Sequence, residues 1–182
     1  TTTSAVTRSA DTANGAGDVS TFNDSEGVLM VEVKALEKVP STNHYIMTSS
    51  PVQSFNNAIT MQFRNDGNLR IYAGGSAGAN IQFIASDIDF TENNKIAINY
   101  DAINNDYRMF INGVSITKYA LATASPVVGL SELNFNYGSA RFIGGVKQIQ
   151  YFDSVLDNSE IEKLTSWTSF MEMANGQFYS IK

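Results

Sequence analysis

Residues 95–116, KIAINYDAINNDYRMFINGVSI, are the stretch that decides the fold. They contain two runs rich in β-branched and aromatic residues, at 95–100 and 107–111, which predict two strands. Asn112-Gly113 follows the second run and leads into a third short run at 114–116. Such a pair between two runs is a strong hairpin signal, because glycine accepts the positive φ that a tight turn requires. The stretch therefore predicts consecutive antiparallel strands.

Short apolar runs separated by turn residues continue on both sides of this stretch. Residues 59–63 alternate strictly between apolar and polar, and Asn65-Asp66-Gly67 follows them as a second hairpin signal. Further strands are predicted at 28–33, 45–47, 69–72, 81–84, 133–137 and 146–152. Asp157 and Glu160 have the spacing of a capping box, which predicts one short helix with Ile161 and Leu164 on one face. Trp167 would extend that face if the helix ran so far. The pattern indicates an all-β fold, a two-sheet antiparallel β-sandwich or jelly roll with one short helix near the C-terminus.

The composition narrows the classes of partner. The chain of 182 residues suits one sandwich domain, at residues 6–182, with residues 1–5 as the end of a linker from a longer protein. The formal net charge of −6 disfavours nucleic acid and anionic membranes as partners but is compatible with a neutral glycan.

The chain has no cysteine, which excludes disulfides and thiolate zinc sites. His44 is the single histidine, and we expect it to be structural or on the surface, because no catalytic triad accompanies it.

The stretch at 95–116 resembles a segment of laminin-G-like and other concanavalin A-like domains. In that segment one strand ends in an aromatic residue and Asp, and the next reads roughly aromatic-x-x-aromatic-x-Asn-Gly. The matching residues here are Tyr100-Asp101, Tyr107, Phe110 and Asn112-Gly113. Residues 142–165, FIGGVKQIQYFDSVLDNSEIEKLT, are similar to the end of the same family, with a Gly-rich approach, an aromatic strand and a short helix. The matching residues are Gly144-Gly145, Tyr151-Phe152, Leu156, Glu160-Ile161 and Leu164.

The first part of the chain resembles a narrower group, the laminin-G-like modules of bacteriophage tail and virion proteins. The matching residues are Arg8-Ser9-Ala10-Asp11, Phe22-Asn23 and Ser25-Glu26-Gly27. The resemblance implies a laminin-G-like β-sandwich that is extracellular or lies on a virion surface. It also implies glycan binding, often with Ca²⁺, although the family includes modules with purely architectural roles.

Residues 87–92, DIDFTE, carry the most enzyme-like pattern of the chain. They are similar to the Glu-x-Asp-x-x-Glu strand of laminarinase-type glucanases, in which the outer glutamates act as nucleophile and acid. Asp87 stands at the first position, one methylene shorter than glutamate, and the resemblance places the string in a connecting loop. We therefore expect an acidic turn and no catalysis. The same carboxylates, Asp87, Asp89 and Glu92, are the candidate ligands of a Ca²⁺ ion, which prefers several oxygen donors.

A glycan site needs an aromatic ring that stacks on the apolar face of a sugar and planar polar side chains that pair with its hydroxyls. The candidate ligand-binding residues of this kind are Arg70, Tyr72, Tyr107, Asn136, Tyr137 and Arg141. With the resemblance, they predict a non-catalytic carbohydrate-binding module displayed on a phage virion or tail fibre. Its expected partner is a cell-surface or extracellular polysaccharide.

Two alternatives stay open at the level of sequence. One is a purely structural domain of a virion fibre or capsid decoration, in which the apolar residues within 170–181 pack on virion neighbour subunits or in a homo-oligomer. The other is a glycoside hydrolase of the laminarinase type, for which the acidic pair at 87–92 is defective.

Overall fold

The computed structural model describes residues 17–55, 57–76, 79–86, 88–116, 118–120 and 126–167. Within these ranges it has thirteen strands and one helix. The strands are β1 Glu26–Ala35, β2 His44–Ser49, β3 Ala58–Phe63, β4 Leu69–Ser76, β5 Ala79–Ala85, β6 Asn94–Asp101, β7 Asp106–Ile111, β8 Val114–Ile116, β9 Lys118–Ala120, β10 Glu132–Asn134, β11 Asn136–Tyr137, β12 Ala140–Arg141 and β13 Gly144–Phe152. The helix, α1, covers Asn158–Thr165. Each strand predicted from the sequence is present, except that the single strand predicted at 133–137 is divided between β10 and β11, which belong to different sheets.

Two antiparallel sheets form the sandwich. The first has the strand order β13-β1-β6-β7-β8, and the second has the order β10-β2-β3-β4-β5-β9. A short two-stranded ribbon, β11-β12, is not paired with a strand of either sheet. The predicted all-β, two-sheet jelly roll with one short helix is confirmed.

The two hairpin signals lie where the sequence predicts them. Asn112 and Gly113 join β7 to β8 with φ values of 50° and 81°, so both residues have the left-handed conformation of a tight mirror-image turn. Gly67 has a φ of 80° between β3 and β4, and its amide donates to the carbonyl of Arg64 at 3.0 Å. Turn chemistry alone thus fixes the register of two strand pairs.

The core lies between the sheets and follows from the alternation of side chains along each strand. Leu29 and Val31 of β1 face Ile59 and Met61 of β3 in one cluster whose members are almost fully buried. A smaller cluster on the outer face of the first sheet holds the helix, which packs Ile161 against strands β1, β6 and β7. The outer face of the second sheet has no helix over it among the described residues and carries polar and aromatic side chains instead.

The helix begins as predicted and ends at Thr165. Asp157 accepts from the amide of Glu160, and the Glu160 side chain accepts from the amide of Asp157, which completes the capping box. The helix therefore does not run far enough for Trp167 to extend its buried face. Trp167 is half-buried, and the ammonium of Lys95 lies over its ring at 4.7 Å.

Several predictions fall outside the described residues. These include the linker at residues 1–5, the motif at 8–11, Asp87 and the apolar residues within 170–181. In the described part of the chain, no helix has both the length and the apolar character needed to cross a bilayer.

Candidate functional site

The candidate site is the outer face of the second sheet. In β4 the side chains of Leu69, Ile71 and Ala73 enter the core, so Arg70 and Tyr72 project from the opposite side. The strand register places Gln62 of β3 opposite Arg70, and Thr60 opposite Tyr72. Tyr45 of β2 is opposite Gln62 and completes the row. We call the surface formed by Tyr45, Phe55, Thr60, Gln62, Arg70, Tyr72 and Tyr137 the aromatic face.

Four rings from separate parts of the chain meet on the aromatic face. The ring centroids of Phe55 and Tyr137 are 3.9 Å apart, with 35° between their planes. Tyr45 lies 5.2 Å from Phe55 and 5.7 Å from Tyr137, and Tyr72 lies 6.0 Å from Phe55. Tyr45 and Tyr72 come from strands, Phe55 from the β2–β3 connection, and Tyr137 from β11. Half-buried rings in such a group offer the apolar surface on which a sugar ring stacks.

Polar atoms lie among these rings. Arg70 donates a hydrogen bond from Nη1 to the hydroxyl of Tyr72, and its guanidinium lies 5.2 Å from the centre of the Tyr72 ring. Gln62 donates from Nε2 to the hydroxyl of Tyr45 at 2.9 Å. Burial raises the pKa of the Tyr72 phenol above its ordinary value of 10.0.

Three buried atoms of the aromatic face have no hydrogen-bond partner among the described residues: Thr60 Oγ1, Gln62 Oε1 and Arg70 Nε. Almost all buried polar atoms in folded proteins have a partner, because an unpaired one loses its hydration without compensation. These three atoms lie on two adjacent strands at neighbouring register positions, which groups unused hydrogen-bonding capacity under one face of the sheet.

The charge on this face is also uncompensated. Arg64 and Arg108 each pair with an aspartate, Asp66 and Asp106 respectively. Among the residues that the structure describes, no carboxylate lies within ion-pair distance of half-buried Arg70. A chain with net charge −6 therefore keeps a partly desolvated cation on this face without a counter-charge.

The structure brings three of the predicted ligand-binding residues together, Arg70, Tyr72 and Tyr137. Asn136 and Arg141 are a directly opposed pair on the β11–β12 ribbon, one position from Tyr137. Because neighbouring residues of a strand point to opposite sides, Asn136 and Arg141 project from the other side of the ribbon. Asn136 Nδ2 donates to the Gly138 carbonyl at 3.0 Å, and Arg141 is exposed.

Tyr107 belongs to a different part of the molecule. It lies in β7 of the first sheet, is 2% exposed and packs in the core between the sheets. Burial raises the pKa of its phenol to about 12. Because its ring has almost no surface open to a ligand, Tyr107 is not a candidate for stacking on a sugar.

The acidic string lies in the β5–β6 connection, as expected. Asp89 accepts from the amide and hydroxyl of Thr91 at 2.9 and 2.6 Å, and these bonds lower the pKa of its carboxyl. Lys38 Nζ lies 3.9 Å from the same carboxylate. Within the described ranges, which omit Asp87, Glu92 joins no group of three or more acidic or histidine side chains suited to a metal ion. The Ca²⁺ site stays a prediction.

The sequence analysis missed Tyr45, Phe55, Thr60 and Gln62. A signal existed for two of them, because Thr60 and Gln62 occupy the polar positions of the strictly alternating strand that the Asp66-Gly67 turn pairs with β4. Phe55 lies in an irregular connection, where no periodicity indicates which way a side chain points.

Comparison with known proteins establishes the fold and no closer relationship. No protein-family model and no curated protein matches the sequence. Among solved structures, the CBM40 module of the Ruminococcus gnavus IT-sialidase superposes with a TM-score of 0.60 at 16% identity, over 84% of this chain and 94% of that one.

Two further similar structures extend the comparison. A leech intramolecular trans-sialidase superposes with a TM-score of 0.58 at 16% identity over 81% of this chain, which spans only 24% of the leech protein. A heptameric SAP-like pentraxin from Limulus polyphemus gives 0.60 at 10% identity, over 80% of this chain and 71% of the pentraxin. The chain therefore has a jelly-roll β-sandwich, the fold that these proteins share.

Proposed function

We propose that this domain is a non-catalytic carbohydrate-binding module, and that its aromatic face holds a glycan by an anionic group. The observation that carries the proposal is Arg70, a half-buried arginine beside the ring of Tyr72 that has no carboxylate partner among the described residues. A partly desolvated guanidinium is most favourable when a counter-charge reaches it, and its planar fork matches a carboxylate or sulfate. The anionic group of the ligand supplies that counter-charge.

The rest of the aromatic face suits the remainder of a sugar. The rings of Tyr72 and Tyr137 give apolar surface for the C–H groups of the pyranose. Thr60 Oγ1 and Gln62 Oε1, which lack partners, suit sugar hydroxyls because a hydroxyl both donates and accepts. The site thus combines one charged anchor with stacking surface and neutral hydrogen-bonding groups.

The similar structures support the class of ligand. The Ruminococcus gnavus CBM40 module has been solved bound to α2,3- and α2,6-sialyllactose, and sialic acid carries a carboxylate. That ligand belongs to that protein. For this chain an acidic glycan is a proposal, with the lectin-like fold and Arg70 in its favour.

The proposal includes the setting of the module, which is display on a phage virion or tail fibre with extracellular or virion-surface location. The motif resemblance of the N-terminal part of the sequence supports this setting. The proposed lack of catalysis is supported by Asp89, whose carboxylate accepts the turn hydrogen bonds from Thr91.

The proposal is tested with a glycan array of acidic and neutral polysaccharides, probed by the full chain with Ca²⁺ and again with chelator. Each acidic polysaccharide is paired with its carboxyl-reduced form, so that charge is the only variable. We expect signals on acidic members that are lost on reduction. Silence in both buffers would refute the glycan-binding function, and equal binding to the reduced forms would refute the anionic anchor.

Arg70→Gln measures the anchor directly. A hydrogen bond to a charged group contributes about 1.5–3 kcal/mol, so affinity for the acidic ligand should fall about 10- to 140-fold. The matched control is Lys163→Gln, which removes the same charge from an exposed position of α1 on the opposite side of the sandwich. Calorimetry should show the control within about twofold of the wild type, because a remote exposed charge is screened by salt.

A further inference from the structure

Phe55 is the ring of the aromatic face that no strand holds in place. It belongs to the β2–β3 connection, between Ser49 and Ala58. Its ring nevertheless contacts all three tyrosine rings of the face, and at 3.9 Å it is stacked on Tyr137. A pyranose that stacked on Tyr137 from this side would need the space that the Phe55 ring fills.

The atoms beneath this ring cluster are shielded from solvent. Thr60 Oγ1, Gln62 Oε1 and Arg70 Nε are inaccessible as well as unpaired, and Gln62 as a whole is 7% exposed. Phe55 contributes to the shielding, since its ring packs on Tyr45, which bonds Gln62, and on Tyr72, which bonds Arg70. The covered arrangement therefore leaves three polar atoms unsatisfied that an open arrangement would expose to a ligand.

The attachments of the connection leave Phe55 able to move. Gln53 Oε1 accepts from the amide of Gly138 at 3.0 Å, and Asn57 exchanges two hydrogen bonds of 2.7 Å with the backbone of Val128. The Asn57 amide also donates to the Ser54 carbonyl at 3.1 Å, in a turn that encloses Phe55. None of these bonds uses an atom of the Phe55 ring, so a rotation of its side chain can move the ring off the face without breaking them.

We infer that Phe55 occupies the sugar-stacking position of the free domain and that a glycan binds by displacing it. The inference rests on the proposed function and adds regulation of the same site: the ring competes with the ligand. The apparent affinity is then reduced by the fraction of molecules in which the ring has moved away. Displacement opens Tyr137 for stacking and exposes the three unpaired atoms to the ligand.

The test is the affinity of Phe55→Ala for the acidic polysaccharide that gives the strongest array signal. Removal of a competitor should tighten binding and speed association, by about tenfold if the open form is about a tenth of the population. Removal of a stacking platform would weaken binding, so the sign of the change decides. The control is Val52→Ala in the same connection, which is 79% exposed and should bind like the wild type.

Two further measurements keep the inference falsifiable. Phe55→Leu keeps an apolar side chain without a ring and should bind with an affinity between those of the wild type and Phe55→Ala. It replaces Phe55→Ala as the test if the alanine variant does not fold. Fluorine NMR of 4-fluorophenylalanine at position 55 should show an exposed ring only at saturating polysaccharide. Weaker or unchanged binding by Phe55→Ala overturns the inference and leaves the proposed function standing. Failure of both wild type and variant to bind any glycan overturns the proposed function.

Discussion

Gly27 offers a test of the packing of β1 between its neighbours β13 and β6 in the first sheet. It lies in β1 with a φ of +156°, a conformation that side chains rarely adopt. A Cβ there would lie 2.7 Å from the carbonyl oxygen of Phe152 and 2.9 Å from the hydroxyls of Tyr100 and Tyr151. Those hydroxyls are 2.8 Å from each other, so neither can retreat without breaking their hydrogen bond.

The magnitude for Gly27→Ala follows from these contacts. Backbone strain at such a position costs about 1–3 kcal/mol, and forced packing against groups that cannot move costs about 1–3 kcal/mol more. The free energy of unfolding should therefore fall by about 2–6 kcal/mol. At about 2–4 °C per kcal/mol for a domain of this size, the Tm should fall by about 4–24 °C.

The assay is urea unfolding followed by circular dichroism, with Gly145→Ala as the matched control. Gly145 also lies in a paired strand, but a Cβ there would meet nothing within 4 Å. We expect the control to stay within about 0.5 kcal/mol of the wild type, as ordinary surface changes do. Equal free energies of unfolding for the two variants would refute the reasoning from close contacts.

The remaining predictions concern pH and the helix start. Burial lowers the pKa of His44 below 6.5, so the unfolded chain binds its proton more readily than the folded one. The contribution of His44 to the free energy of unfolding is therefore complete above pH 6.5 and decreases as the pH falls below it, by at most about 1.4 kcal/mol per pH unit. His44→Asn should remove this pH dependence between pH 6.5 and 5, as measured by urea titrations. A slope unchanged in the variant would assign the effect to other groups. Asp157→Ala should lower the free energy of unfolding by about 0.5–2 kcal/mol, because the helix loses its N-terminal cap. The same urea titrations at pH 7 measure this change. An unchanged free energy of unfolding would mean that the capping box adds no stability beyond the packing of α1.

Features that depend on neighbouring residues were predictable from the sequence. The turns at Asp66-Gly67 and Asn112-Gly113 and the capping box at Asp157 each rest on a few consecutive side chains. Strand periodicity also predicted that Arg70 and Tyr72 share one side of β4. It did not distinguish Tyr107, because an aromatic residue on a strand fits the core as well as a ligand surface.

The end of the helix shows where local patterns stop being sufficient. Spacing from Leu164 would place Trp167 on the apolar face if the helix ran so far, but the sequence did not give the end of the helix, which is at Thr165. The hydroxyl of Thr165 accepts from the amide of Gly113 at 3.2 Å, and Lys95 Nζ donates to the carbonyl of Ser166 at 3.1 Å. These contacts with the first sheet are tertiary, and no pattern within the helix encodes them.

The sequence by itself determined the sandwich, its strands, its main turns and the start of the helix, because periodicity and turn chemistry act over a few residues. Only the tertiary structure decided the candidate site. Phe55 and Tyr137 are far apart in the chain, and the packing of a connection against a ribbon brings their rings to 3.9 Å. The net charge of −6 is compatible with a neutral glycan and does not reveal a local cation, whereas the fold leaves Arg70 without an ion pair to any described carboxylate. Local charge at a surface depends on which side chains the fold brings together, and composition does not contain that information.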